Sequence, residues 1–359
     1  MLFFDAMQYS ERNGVIRSHI ITKPDDWHVH LRDTPVLHDT VAATAMHFNR
    51  ALVMPNLVPA ISSIDALLSY RERILLAATA YPEFNPYMTL YLNEDVTPDT
   101  IQRACQYPFL LGAKLYPRHV TTNSQQSAAT IDALYPTLEA MQACDLVLQV
   151  HGETANDDIF EREALFIQGP LTRITADFPK LRMVLEHIST LDAVEWVLSA
   201  PSTIAATITP QHLLYNRNHL LSGGIKPHYY CLPILKHSRH QHALIRAALS
   251  QNPKFFAGTD SAPHAKHHKE NACGCAGIFS APYALALYAQ LFDQAGHMDR
   301  LEAFVAHFGA DFYQLPRSTS RIELVQQSQQ IPATCPLGDV FVVPLASGEW
   351  INWSINASH

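Results

Sequence analysis

Eight short apolar runs that alternate with stretches of helical spacing are what most constrain this chain's fold. The runs are residues 28–32, 51–55, 87–92, 112–116, 146–151, 182–187, 203–209 and 255–259. Helical spacing marks 63–80, 131–143, 191–199 and 240–250 between them. A β-then-α rhythm argues for a parallel sheet. Eight such units in 359 residues fit an α/β fold of the closed (β/α)8 type, the TIM barrel. A doubly wound open sheet is the competing arrangement, but no Gly-x-Gly-x-x-Gly turn follows any run. Helical spacing returns at 281–295 and 300–308, and the tail carries a strand-like run at 340–344. No linker and no repeat of 20–50 residues interrupts the pattern, so one domain is expected. It would hold an extension over 1–20, barrel and flanking helices over about 20–310, and a C-terminal segment over 311–359.

Polar residues gather at the ends of those runs. His28-Val29-His30 opens the first, with Arg32 two residues on. Side chains on a strand alternate, which predicts that all three share a face. Asn56 follows the second run, and Lys114 lies in the fourth. His151-Gly152-Glu153 ends the fifth, Glu186-His187 the sixth, and Asp260 with His264 follows the eighth. A barrel gathers those ends at the C-terminal mouth, where this fold keeps its chemistry. A single catalytic zinc takes three protein ligands and keeps one position open. Four histidines and an aspartate therefore suit two ions better than one. Lys114 is the odd member, because an ammonium would be repelled by two cations. Reaction with CO2 would turn it into a carbamate whose two oxygens can bridge them.

Charge and cysteines narrow the class. Net charge is −8 with no basic run, which argues against nucleic acid. No run approaches a membrane span, and Met1-Leu2-Phe3-Phe4-Asp5 lacks the features of a secretory leader. Cys105, Cys144, Cys231, Cys273, Cys275 and Cys335 show no paired framework, as expected of thiols in a reducing cytoplasm. Cys273-Gly274-Cys275 could hold a metal, but without a second pair it reads as loop thiols.

The residues described so far resemble those of the amidohydrolase superfamily. The likeness narrows to the single-domain bacterial dihydroorotases through Asp26-Trp27-His28-Val29-His30-Leu31-Arg32, Val53-Met54-Pro55-Asn56-Leu57, Ala113-Lys114-Leu115-Tyr116-Pro117 and Gly258-Thr259-Asp260-Ser261-Ala262-Pro263-His264. Ala206-Thr207-Ile208-Thr209-Pro210-Gln211-His212-Leu213, Tyr230-Cys231-Leu232-Pro233-Ile234-Leu235-Lys236 and Cys273-Gly274-Cys275-Ala276-Gly277 add to it. The resemblance implies reversible hydrolysis of the cyclic amide of dihydroorotate to N-carbamoyl-L-aspartate in pyrimidine synthesis. It implies two Zn2+ per subunit, bridged by carboxylated Lys114 (N6-carboxylysine) and a hydroxide. His28, His30, Lys114 and Asp260 would hold one ion, and the same carbamate with His151 and His187 the other. Asp260 would also be the catalytic proton carrier. Arg32, Asn56 and His264 would meet the substrate carboxylate, with backbone groups of Leu232 and Ala276 on the ring amide. Thr121 and Thr122 would close a lid loop over the bound ligand, and the chain would be a homodimer. Hydantoinase-like amidases and a non-catalytic barrel scaffold are the rival readings. Arg32, Asn56 and His264 argue against the first, and the retained Lys114 and Asp260 against the second.

Overall fold

The computed structural model describes residues 17–272 and 274–356. β1 (Ser18–Thr22) comes first and lies outside the main sheet. The main sheet holds eight strands: β2 (Asp25–Val29), β3 (Arg50–Val53), β4 (Asn85–Tyr91), β5 (Leu110–Leu115), β6 (Val147–Val150), β7 (Met183–Leu185), β8 (Ile204–Ile208) and β9 (Phe255–Ala257). They run parallel in chain order. The sheet closes through a parallel bridge between Val29 and Ser261. There the Asp260 N–H donates to the His28 carbonyl at 2.9 Å and the His30 N–H to the Ser261 carbonyl at 3.0 Å. The architecture is a (β/α)8 barrel, as the alternation requires.

Each strand answers one expected run, and each ends before that run does. The reason is physical. Past several strand ends the backbone turns side chains into the mouth. Arg32, His187 and Asp260 do so in left-handed backbone, with φ of 60°, 41° and 47°. That conformation is uncommon for residues with a Cβ and collects at functional sites. Arg32 therefore reaches the mouth by a turn, and strand alternation, which ends at Val29, has no part in it.

Several helices start at threonine or serine caps just upstream of them. Ser63 accepts from the Ala66 N–H to start Ile64–Ala77, and Thr190 accepts from Ala193 to start Leu191–Ser199. Thr209 does the same for Pro210–Leu214 right after β8. The helical run at 300–308 is broken into a 3₁₀ turn (Met298–Arg300), a wide turn (Ala303–His307) and Phe308–Phe312.

Period-2 alternation puts Val147 below Gln149 and His151, and Val184 below Glu186. These join Leu52, Met54, Ala205 and Phe256 in an apolar layer beneath the mouth, against Trp27 and Tyr313. Gly112 is required there: a Cβ would lie 1.9 Å from the Val147 carbonyl and 2.7 Å from the Gln149 side chain. Residues 1–16 of the expected extension fall outside the described residues. From Ser18 the chain is strand. β1 pairs antiparallel with β10 (Arg321–Val325), which also pairs with Ser354–Asn356. No helix among the described residues is long and apolar enough to cross a membrane.

Candidate metal centre

His28 and His30 come from the end of β2 with their Nε2 atoms 3.2 Å apart. Asp260, carried past the end of β9, places Oδ1 3.3 Å from His28 Nε2 and 3.2 Å from His30 Nε2. Asp26 makes this meeting possible. Its carboxylate accepts from the Thr259 N–H at 2.8 Å, the Thr259 hydroxyl at 2.6 Å and the His28 N–H at 3.2 Å. The ninth strand's exit is thereby locked onto the second. Across the mouth, His151 Nδ1 lies 3.2 Å from His187 Nε2, and the rings of His28 and His187 are 5.0 Å apart. The His187 turn is fixed by Thr207, whose hydroxyl accepts the His187 N–H at 2.7 Å. It is fixed again by buried Glu163, which accepts the Ser189 N–H at 2.9 Å. Lys114 is fully buried between the two groups, its amine against the Glu186 carboxylate and 4.7 Å from the centre of the Tyr116 ring.

The far nitrogen of two histidines is held by an oxygen, and that of a third lies close to one. His28 Nδ1 is 3.1 Å from Glu186 Oε1, His151 Nε2 is 2.8 Å from Glu153 Oε2, and His30 Nδ1 is 2.7 Å from Asn56 Oδ1. Such partners fix ring orientation and tautomer, as they do behind metal-ligating histidines. Sequence reasoning assigned no role to Glu153 and Glu186. Their signal was their place beside a histidine in His151-Gly152-Glu153 and Glu186-His187.

The donor set fits metal ions. His28, His30 and Asp260 offer atoms all within 4.8 Å of one another, as do His28, Glu186 and His187. Burial pushes the imidazoles of His28, His151 and His187 below their ordinary range and that of His30 down to about 4. They are therefore neutral, the form that ligates. Burial alone would raise the Asp260 carboxyl. The facing ring nitrogens of His28 and His30 outweigh that and hold it well below its usual value, as a carboxylate. Burial also drives the Lys114 amine far below its usual value, and its Nζ has no hydrogen-bond partner among the described residues. A neutral amine amid neutral imidazoles is a nucleophile.

Beside this cluster lies a pocket lined by His30, Arg32, Asn56, Thr121, Thr122, Leu232, Asp260 and Ala276, among others. His264 sits at its edge, where Arg32 Nη2 donates to His264 Nε2 at 3.0 Å. Burial, then the charges of Arg32 and Lys269, take His264 down to about 2, so this histidine is a neutral acceptor. The expected metal, substrate and lid residues thus come together at one mouth. The 117–124 loop is turned inward: the Asn56 amide donates to the Thr122 carbonyl at 3.2 Å, and the Asn123 amide to the Asn56 carbonyl at 2.9 Å. Cys273 falls outside the described residues. Cys275 is a free thiol near the pocket, as are Cys105, Cys144, Cys231 and Cys335 elsewhere.

Comparison with known proteins gives a consistent picture. The amidohydrolase family model matches residues 20–324. The dihydroorotase of Shewanella loihica is 53% identical over 337 residues, covering 93% of this chain and 98% of that one. A crystal structure of dihydroorotase from Campylobacter jejuni superposes with a TM-score of 0.89 at 32% identity, covering 97% of this chain and all of that one. Dihydroorotase from Saccharomyces cerevisiae, in complex with 5-fluoroorotic acid, gives 0.87 at 31% identity, covering 94% and 98%.

Proposed function

The chain belongs to the amidohydrolase family and, within it, to the dihydroorotases, and from that premise we propose how its mouth works. The reaction is reversible opening of the dihydroorotate ring by water to N-carbamoyl-L-aspartate, a step of pyrimidine synthesis. One observation carries the assignment of substrate to site: a neutral donor set with a carboxylate stands directly beside a pocket containing a guanidinium.

His28, His30 and Asp260 would hold one zinc ion, His151 and His187 a second, with carboxylated Lys114 between them. The ions would acidify the attacking water and polarise the scissile carbonyl. The Lys114 amine, stripped of its proton by burial, attacks CO2; a nitrogen–carbon bond forms, a proton leaves, and the anionic carbamate remains. Asp260 takes the proton of the attacking water and delivers it to the departing ring nitrogen, and these roles reverse in ring closure. Arg32 presents a planar fork to the substrate carboxylate, assisted by Asn56 and His264. Backbone groups of Leu232 and Ala276 meet the ring amide. Thr121 and Thr122 close the pocket and exclude water. We place the enzyme in the cytoplasm as a homodimer of single-domain subunits.

The test is a spectrophotometric assay of dihydroorotate opening with metal content measured on the same preparation. Turnover should track zinc content, vanish on chelation and return on readdition. Protein carrying two ions per chain but inert toward dihydroorotate would overturn the reading. Light scattering on the same sample tests the dimer, and a monomer would remove it.

A further inference from the structure

Lys269 is only 4% exposed, although lysine is seldom buried without a counter-ion. The charged neighbour it senses is Arg32, which is also a cation, and no carboxylate stands against it among the described residues. Instead its ammonium donates to three carbonyls: Gly277 at 2.6 Å, Cys275 at 2.9 Å and Tyr230 at 3.0 Å. They belong to two separate segments, which are themselves joined where the Gly277 N–H donates to the Tyr230 carbonyl at 3.0 Å. The same two segments carry Leu232 and Ala276 into the pocket. A buried cation without a carboxylate is a poor way to stabilise a core, since desolvation opposes it. Geometry supplies the reason for it. In a trans peptide the C=O and the following N–H point in opposite directions. Drawing the Cys275 carbonyl onto Lys269 turns the Ala276 N–H the other way. That N–H finds no acceptor among the described residues. The hydrogen bond to the carbonyl also polarises the peptide and makes its N–H a better donor.

We propose that Lys269 is a positioning residue for ligand recognition: by gathering the Tyr230, Cys275 and Gly277 carbonyls it holds the Leu232 and Ala276 segments in register and aims the Ala276 N–H at the ring amide. This rests on the reading that those backbone groups meet the substrate. The experiment compares wild type, Lys269→Met and Lys269→Arg, measuring metal content, kcat and KM for dihydroorotate on each. Lys269→Met should raise KM by at least about fivefold while kcat and metal content stay near wild type. Lys269→Arg, which keeps charge and donors, should stay below that threshold. A KM change under about fivefold in Lys269→Met, whatever happens to kcat, overturns the proposal. So does an equal KM rise in Lys269→Arg. If Lys269→Met does not fold, Lys269→Gln, which lacks the charge, takes its place under the same criteria. Wild-type protein inert toward dihydroorotate would remove the functional reading itself. Active wild type with an indifferent variant removes only the role of Lys269.

Discussion

At the scale of single residues, Lys114 carries the sharpest consequence. It is fully buried against Glu186, and burial drives its amine far below the usual range. Lys114→Ala should lose most bound metal and nearly all turnover, and an added short-chain carboxylic acid should restore part of both. Carbonyl NMR of metal-loaded protein grown with labelled CO2 decides the matter, and an unmodified amine there would sink the carbamate. Asp260→Asn should cut turnover by orders of magnitude while leaving some metal bound; a variant with near-normal turnover would need a different proton carrier. Arg32→Met should weaken ligand binding by roughly ten- to a hundred-fold, the worth of a charge-assisted pair, with metal content intact. Equilibrium binding of dihydroorotate would show it. These residues were legible because their types are rare at strand ends and their chemistry is specific. Glu153 and Glu186 were not, since a carboxylate beside a histidine in sequence says nothing of which ring it will face. Arg32 was found in the right place for the wrong reason: alternation ends at Val29, and a left-handed residue does the turning.

At the scale of elements, the expected strands overran the observed ones at every C-terminal end. An apolar run cannot show where the ladder is abandoned for the site. The loop at 117–124 was readable as a rim connection from its small polar residues. Its tie to Asn56 was not, because the partners lie 66 residues apart. That tie has a functional consequence. Asn56 accepts from His30 and donates to the Thr122 carbonyl, so one amide links the metal side to the lid. Ligand binding should therefore order the loop by favouring its closed state. The Thr121→Ala, Thr122→Ala double variant should lose turnover with metals retained. Limited proteolysis checks the motion: ligand should protect the wild-type loop. Equal cleavage with and without ligand, together with a fully active double variant, would make the loop an ordinary connection.

At the scale of the whole molecule, the barrel was legible from its alternation, but its far end was not. Strand recognition by apolar runs clips charged first residues, so β2 was read from 28 and β3 from 51. The clipped residues form a pair. Register sets Asp25 opposite Arg50, and Arg50 donates to Asp25 from Nε at 2.7 Å and from Nη2 at 2.5 Å. Its Nη1 donates to the Pro316 carbonyl at 2.7 Å, which ties the C-terminal segment under the barrel. The sheet of β1, β10 and Ser354–Asn356 was missed for a similar reason, because Ile20 lies opposite Glu323 and local periodicity carries no trace of so distant a partner. Among the described residues, Arg50 thus fastens Pro316, while β10 fastens both β1 and Ser354–Asn356. Arg50→Met leaves the buried Asp25 carboxylate without its partner and should cost about 3–5 kcal/mol of stability. Because the defect is an uncompensated charge, Arg50→Met combined with Asp25→Leu should recover most of the loss. Denaturant unfolding measures both, with metal content and KM expected to stay at wild-type values. A double variant no more stable than the single one would mean that the Pro316 tie, and not the ion pair, holds this end of the barrel.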